Sequence, residues 1–194
     1  MKRCLPALVL AAPLAAFAQA ENFTLDPTHT YPNFKVEHWG LSMMHGRFNK
    51  SSGKFSMDRK AKTGSVDLVI ETASIDTGDN EKGNRPRARD EHLRNADFFN
   101  VAEFPRITFK STKVTFGADL PTAVEGNMTM NGVTKLVTLK FERFKCGTNP
   151  FNKKDRCGGN AVGTLKRSDF GMKYAIPAVS DEIALDIEFE GDKD

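Results

Sequence analysis

Apolar and polar residues alternate along most of the chain with a period of two, which is typical of a half-buried β-strand. The clearest run closes the sequence, where the apolar positions are Ile183, Leu185, Ile187 and Phe189. Similar runs occur at 34–38, 47–57, 66–70, 107–109, 114–116, 128–130 and 137–141, with a shorter one at 163–167. About eight strands with one apolar face each predict an all-β fold in which a sheet curls into a barrel.

Two turns are predicted between these runs. Asn131-Gly132 is a strong signal for a two-residue hairpin. Ser51-Ser52-Gly53 is interpreted as the turn of a second hairpin, with Phe48 on one strand and Phe55 and Met57 on the other.

One segment interrupts the strand pattern. Between Ile75 and Phe104 the charged residues are dense and the period of two is lost. Asp79–Arg89 is polar and loop-like, and Asp90 is expected to cap a short helix through Phe99. We expect this insertion to lie across one end of the barrel.

The first twenty residues have the pattern of a secretory signal peptide. Lys2 and Arg3 precede an apolar stretch over 5–17, and a small-x-small site ends at Ala20. The stretch is too short to span a bilayer, which takes roughly 20 residues, and no later segment qualifies. We therefore expect cleavage after Ala20, a single barrel domain over 21–194, export to the periplasm and no integral membrane segment.

The cysteines agree with export. Cys4 lies within the signal peptide, which leaves Cys146 and Cys157 as one pair. A leftover pair in an exported protein usually forms a disulfide. The alternatives are two free thiols or half of a metal site, but no other cysteine or nearby histidine completes a zinc shell, so we predict no metal.

Composition favours a dry interior and argues against nucleic acid. The chain has 15 Phe but only 1 Trp and 2 Tyr, and Phe has no polar group that needs a partner. The net charge is +3, of which Lys2 and Arg3 supply two units. The net charge of the chain after cleavage is therefore close to zero, whereas a nucleic-acid-binding protein is expected to have a clear excess of basic residues.

Four motif blocks follow one another along nearly the whole mature chain. They are Asp26-Pro27-Thr28-His29-Thr30 with Phe34, Val36 and His38; Ala73 to Gly78 followed by Arg89 to Phe109; Gly126 to Val137; and Arg167 to Met172 followed by Ser180-Asp181-Glu182. Together they resemble the YceI-like family of polyisoprenoid-binding periplasmic proteins. One departure is Thr30, where Ser is commoner, but the hydroxyl is kept.

The resemblance implies a lipocalin-like, extended eight-stranded antiparallel barrel with the insertion covering one end. It implies a long isoprenoid inside, such as a polyprenyl phosphate or an isoprenoid quinone, held for transport, storage or stress response. Cys146 and Cys157 resemble a disulfide found in a subset of the family. A homodimer, as in some relatives, is left open.

The inward faces of the strands and the insertion provide candidate lipid-binding residues. Ordinary core packing produces the same alternation, because the side chains of an eight-stranded barrel can fill its interior. The candidates are Phe34, Val36, His38, Phe48, Phe55, Leu68, Ile70, Phe98, Phe99, Ile107, Phe109, Met128, Met130, Leu139, Phe141, Leu185 and Ile187.

Polar candidates fall at the ends of the barrel. Arg89, His92 and Arg94 could donate to a phosphate or quinone headgroup, or could instead pair with Asp90 on the surface. His38 either points inward or bonds to backbone carbonyls.

Two further polar groups are interpreted as structural. Asp26 and His29 are expected to lock the start of the barrel. Arg167 and Asp169 flank a bend at Phe170-Gly171.

The alternative function is a periplasmic enzyme acting on an amphiphilic, lipid-like substrate. The sequence shows no nucleophile elbow, paired-carboxylate site or phosphate-binding glycine loop. The four histidines, at 29, 38, 45 and 92, have no metal-binding spacing. We therefore expect a binding protein without a cofactor and without catalysis.

Overall fold

The computed structural model describes residues 20–194. The predicted signal peptide lies outside these residues except for Ala20, which is exposed. Within these residues there are one short α-helix, α1 (Arg89–Arg94), two 3-10 helices (Thr72–Ser74 and Arg167–Phe170) and eleven strands. The strands are β1 (Glu21–Leu25), β2 (Tyr31–His38), β3 (Ser42–Phe48), β4 (Ser51–Asp58), β5 (Thr63–Glu71), β6 (Ile75–Asp76), β7 (Arg106–Phe116), β8 (Pro121–Met130), β9 (Val133–Thr148), β10 (Asp155–Lys166) and β11 (Val179–Lys193).

The strands close into a barrel with eight positions, all paired antiparallel. Both β1 and β2 lie beside β11, so they share one position. β4 pairs with β1 and β3 pairs with β2, so these two strands share the next position. β5 and β6 share the third, and β7 to β11 follow singly. The predicted eight-stranded barrel is confirmed.

The hairpin predicted at Ser51-Ser52-Gly53 is wrong. These residues lie inside β4 and pair with 68–70 of β5. β3 and β4 follow one another along the same barrel position and do not pair. Gly53 is required by close packing and not by a turn, because a Cβ there would collide with the carbonyl oxygen of Asp67.

The strand predicted at 163–167 is too short. β10 begins at Asp155 and pairs with β9 and β11 over most of its length. The sequence pattern does not reveal the first half of β10, because Gly158 and Gly159 have no side chain that could contribute to the alternation of apolar and polar residues. Cys157 lies directly opposite Cys146, with their Cα atoms 4.0 Å apart, and the predicted disulfide joins them.

The insertion covers the end of the barrel opposite the disulfide, as predicted. Its helix is shorter than expected and ends at Arg94. Asp90 does not cap it, since the capping position is Ala88. Instead Asp90 is only 1% exposed and accepts hydrogen bonds from the amide and the hydroxyl of Thr77.

The Asn131-Gly132 turn is confirmed and helps to hold the insertion. Both residues have positive φ, as the hairpin turn requires. The Asn131 side chain donates to the carbonyl of Phe98, and the ring of Phe98 lies near the barrel interior. Among the described residues, no helix has the length and apolar character needed to cross a membrane.

Candidate functional site: an apolar lumen with one polar mouth

Two apolar cavities lie inside the barrel. The one nearer the disulfide, called here the disulfide-end cavity, has a volume of about 70 Å³. The other lies below the insertion and is called the helix-end cavity, with a volume of about 110 Å³. Ile187 lines both, so the two spaces are neighbours along the lumen.

Interlocked phenylalanine rings form much of the disulfide-end cavity. Phe144 packs edge-to-face on Phe55 and Phe141, with ring centroids 6.4 and 5.4 Å apart. Phe189 lies against the same rings. Ser56 and Ser65 also border this cavity, but their hydroxyls bond to each other at 2.7 Å at an exposed position. A lumen of this kind suits a ligand without polar groups.

An open cleft of about 400 Å³ adjoins the helix-end cavity and is called here the mouth. The two spaces share the side chains of Phe34, Val36, Leu93, Phe98 and Val179. The lining of the mouth is mostly apolar, but polar side chains of the insertion, together with His38 of β2 and His45 of β3, also border it. An amphiphile with an apolar chain and a polar head therefore matches the change in lining from lumen to mouth.

The cations of the mouth are not equivalent. Arg85 binds Asp79 through two hydrogen bonds of 2.6 Å, and this contact lowers the pKa of the Asp79 carboxyl. Arg89 lies 3.6 Å from the same carboxylate, and its Nε donates to the Thr77 hydroxyl at 2.8 Å. Because Asp79 is already engaged by Arg85, Arg89 is the guanidinium better placed to take an anionic or carbonyl headgroup.

His92 belongs to an aromatic cluster between the mouth and the lumen. Its ring packs edge-to-face on Phe98 and Tyr174, at centroid distances of 5.0 and 5.2 Å. Its Nε2 lies 2.7 Å from an Asp97 oxygen and 2.6 Å from a nitrogen of Arg87. The three rings narrow the passage that a ligand would use.

The predicted lipid-binding side chains all border these three spaces, and their contact with a ligand stays a prediction. His38 borders the mouth. The disulfide-end cavity is lined by Phe55, Leu68, Phe109, Leu139, Phe141 and Ile187. The helix-end cavity is lined by Phe34, Val36, Phe48, Ile70, Phe98, Phe99, Ile107, Met128, Met130, Leu185 and again Ile187.

The three predicted headgroup residues separate in the structure. Arg89 and His92 border the mouth. Arg94 does not, because its guanidinium donates to the carbonyls of Ala73 and Ile75 at 2.9 and 2.8 Å and ties the helix to the barrel edge. Arg94 is therefore left out of the candidate headgroup site.

Asp26, His29 and Arg167, which are interpreted as structural, make structural contacts. Asp26 accepts hydrogen bonds from Thr28, His29 and Arg156 at the disulfide end. Burial alone would raise the pKa of its carboxyl, but these hydrogen bonds outweigh burial and lower it. Arg167 is 3% exposed and donates to four backbone carbonyls around the bend.

The alternation of apolar and polar residues in the sequence does not predict several of the residues that line the cavities. Phe144 is three residues from Phe141, so a period of two places it outside, yet both line the same cavity. A bulge in the pairing of β9 with β10 shifts the alternation between them. Val114 lines the cavity for the same reason, after a bulge in β7. Tyr174 lies in a loop, where alternation carries no signal.

Among residues 20–194, no group of three or more His, Cys, Asp or Glu side chains is arranged to hold a metal ion. The polar groups of the mouth can bind and orient a headgroup.

The sequence profile of the YceI-like domain matches residues 23–191. The chain belongs to the YceI-like family. Protein YceI of Escherichia coli O6:H1 is 37% identical over 196 residues, covering 98% of each chain.

Solved structures share the fold of this YceI-like chain. BcnA of Burkholderia cenocepacia superposes with a TM-score of 0.67 at 21% identity, over 86% of this chain and 98% of that one. A polyisoprenoid binding domain from Saccharophagus degradans, implicated in plant cell wall breakdown, superposes with a TM-score of 0.64 at 18% identity, over 89% and 98%. At these identities the likeness concerns the fold.

Proposed function

We propose that this protein is a periplasmic binding protein that holds a long-chain isoprenoid lipid in the barrel lumen. The observation that carries the proposal is the succession of two apolar cavities and one polar mouth. The polyisoprenoid binding domain of similar fold supports it. The Cys146–Cys157 disulfide agrees with an oxidising compartment.

The apolar chain supplies enough free energy for tight binding. Burying about 40 carbons at roughly 0.8 kcal/mol each gives on the order of 30 kcal/mol. This exceeds the practical ceiling of about 18–21 kcal/mol for non-covalent binding, so ordering of the chain must offset much of the gain. Chain length and lumen shape therefore set selectivity, and the mouth sets orientation.

The lumen must widen to accept such a chain. A cavity of about 150 Å³ accommodates a single benzene ring, and both cavities here are smaller. Side chains that fill the interior therefore have to rotate when a ligand enters. Met128 and Met130 are suited to this because the unbranched methionine side chain adapts to irregular shapes.

Arg89 and His92 are proposed to contact the headgroup. The phosphate of a polyprenyl phosphate would accept hydrogen bonds from the Arg89 guanidinium and from His92. A quinone carbonyl would accept hydrogen bonds from the same two side chains. Either headgroup would stay in the mouth while the chain passes the ring of Phe98 into the lumen.

The direct test is to purify the mature protein, extract it with organic solvent and identify the extract by mass spectrometry. A polyprenol derivative or isoprenoid quinone at near one molecule per chain is the expected result. A folded sample that yields no isoprenoid, even after incubation with polyprenyl phosphate and with quinone, would contradict the proposal.

Two leucines on β9 provide a matched pair of variants. Leu139 is 5% exposed and lines the lumen, whereas Leu136 is 58% exposed on the outer face. We expect Leu139→Arg to abolish lipid retention and Leu136→Arg to leave it unchanged. If Leu139→Arg fails to fold, Leu68→Phe narrows the same cavity without a charge and is expected to lower retention. Full retention in a folded Leu68→Phe or Leu139→Arg protein would contradict the proposed lumen.

Binding without catalysis is part of the proposal. Turnover of an ester or phosphate substrate that disappears in His92→Ala would favour the alternative of an enzyme acting on an amphiphilic substrate. The expected result is no turnover above that of the buffer.

A further inference from the structure

Four exposed apolar side chains surround the mouth and are called here the apolar rim: Trp39, Leu41, Tyr174 and Ile176. Their exposed fractions are 65%, 81%, 48% and 37%. Large apolar side chains grouped on a surface usually mark a contact with a partner or with a membrane.

The rim is continuous with the mouth. The amide of Trp39 donates to the carbonyl of Ala178 at 2.7 Å, which joins the turn after β2 to the loop that carries Tyr174 and Ile176. His38 and Tyr174 both line the mouth, and the ring of Trp39 stacks on His38 at 4.7 Å. A ligand leaving the lumen through the mouth would therefore emerge beside these side chains.

The backbone of Trp39 is strained by the tight turn in which it lies, where the Leu41 amide donates to the carbonyl of His38 at 3.0 Å. Its φ is 55° and that of Gly40 is 65°. Both positions of such a turn favour Gly, Asn or Asp, and a bulky residue with positive φ is an outlier. A tryptophan therefore stands where the turn favours a smaller residue, and its side chain is 65% exposed.

The charges near the rim are predominantly positive. The segments 38–44, 77–89 and 171–178 carry five Lys or Arg and two Asp or Glu. The segments at the opposite end, 20–23, 58–63, 116–121, 148–155 and 191–194, carry six of each. The three segments that carry or adjoin the rim therefore have a local surplus of three positive charges, which an anionic surface attracts.

We propose that the apolar rim docks on the surface of a bilayer that contains anionic phospholipids, with the mouth facing the membrane. Trp and Tyr favour the interface between headgroups and acyl chains. Leu41 and Ile176 would enter the boundary of the apolar region, and the cations around them would contact phosphate groups. A lipid could then pass between bilayer and lumen without crossing water. The purpose of docking, lipid exchange, rests on the proposed function, but docking itself does not.

Trp39 is the only tryptophan in the chain, so its fluorescence reports the rim directly. The mature protein is mixed with vesicles of equal parts phosphatidylglycerol and phosphatidylcholine, and emission and co-sedimentation are measured. We expect a shift to shorter wavelength, quenching by brominated acyl chains and weaker binding at high salt. Unchanged emission together with no co-sedimentation would overturn the proposal.

Matched variants locate the contact. Leu41→Asp is expected to weaken vesicle binding by about tenfold or more, since it replaces the most exposed apolar side chain of the rim by an anion. Phe151→Asp, at the opposite end, introduces the same anion in place of a phenylalanine that is 94% exposed and is expected to change nothing. Equal losses in the two variants would overturn the assignment to the rim.

The same samples separate docking from the other possibilities. Sedimentation equilibrium without vesicles tests whether a second copy of the chain covers the rim. If the protein is a dimer that Leu41→Asp dissociates, and if vesicles have no effect, the rim is a dimer interface and the membrane proposal is overturned. Lipid retention measured in Leu41→Asp separates the two proposals. If Leu41→Asp retains isoprenoid but no longer binds vesicles, docking is a property distinct from lipid binding. If the parent protein binds vesicles but never holds isoprenoid, docking is supported and the proposed function is contradicted.

Discussion

Single buried polar side chains hold the loops that frame the mouth. Arg167 donates to the carbonyls of Met172, Tyr174, Val179 and Ser180, at distances of 2.8 to 3.1 Å. Burial lowers the pKa of its guanidinium from a very high value, and an arginine remains charged under such conditions. The loop that carries Tyr174 is therefore positioned by one charged group that is itself surrounded by carbonyl dipoles.

Removal of this arginine should destabilise the protein strongly. We expect Arg167→Met to lower the free energy of unfolding by about 3 kcal/mol, because several buried carbonyls lose their donor. Urea unfolding measures the change. Lys166→Met is the control, since Lys166 is exposed on the neighbouring position, and its effect is expected to be below about 0.5 kcal/mol. Similar values for both variants would contradict this role of Arg167.

At the residue scale, the sequence placed side chains correctly wherever alternation is unbroken. Leu139 and Phe141 line the lumen as expected. Phe144 was missed because a bulge depends on how β9 pairs with β10, and neither strand shows this pairing in its own sequence. Arg89 and Arg94 look equivalent in the sequence, and only the nearby backbone carbonyls distinguish them.

At the scale of elements, the insertion is anchored by Asp90. Its carboxylate accepts from the Thr77 amide at 3.0 Å and from the Thr77 hydroxyl at 2.5 Å, and the side chain is buried. This pair ties the start of α1 to the residue that directly follows β6.

We expect Asp90→Ala to loosen the insertion selectively. Amide hydrogen exchange over 77–94 should accelerate about tenfold or more, while the barrel strands keep their protection. Glu91→Ala is the control because Glu91 is exposed on the same helix. Uniform acceleration across the strands would show instead that Asp90 stabilises the whole fold.

The disulfide end is held by a cluster of charges around Arg156. Its guanidinium binds Asp26 at 2.9 Å, Glu190 at 2.8 Å and Asp192 at 2.6 Å. The hydrogen bond from Arg156 lowers the pKa of Asp192 to about 2. The cluster therefore joins the loop before β2 to both β10 and β11.

This cluster predicts a dependence of stability on acid pH. A carboxyl with a lowered pKa in the folded state stabilises the fold above its ordinary pKa of 3.8. That contribution is complete at neutral pH and is lost as the pH falls from 3.8 toward 2. We expect Asp192→Asn to be less stable at pH 7 and to show a flatter decline in acid, as measured by urea unfolding at several pH values.

The exposed Asp119 lies outside the ion pairs of the described residues and supplies the control. Asp119→Asn should follow the parent curve. A parent protein whose free energy of unfolding stays constant between pH 4 and pH 2 would contradict the prediction.

At the scale of the whole molecule, the lumen couples ligand binding to stability. The cavities exist only when the barrel is closed, so a lipid in the lumen binds the folded state alone. A free ligand concentration of 100 times Kd then adds about 2.7 kcal/mol. We expect polyprenyl phosphate or isoprenoid quinone to raise Tm in the delipidated protein, and Leu139→Arg to abolish the rise. An unchanged Tm at saturating lipid would contradict binding in the lumen.

The sequence by itself determined most of the strands, the interrupting insertion and the disulfide pair, because alternation, charge density and cysteine count are local properties of the chain. The tertiary structure decided which strands share a barrel position, which face follows each bulge and which cations reach the mouth. Closure is the clearest case. β1 pairs with β11 across almost the full length of the described chain, and a contact between such distant segments leaves no periodic trace in either of them.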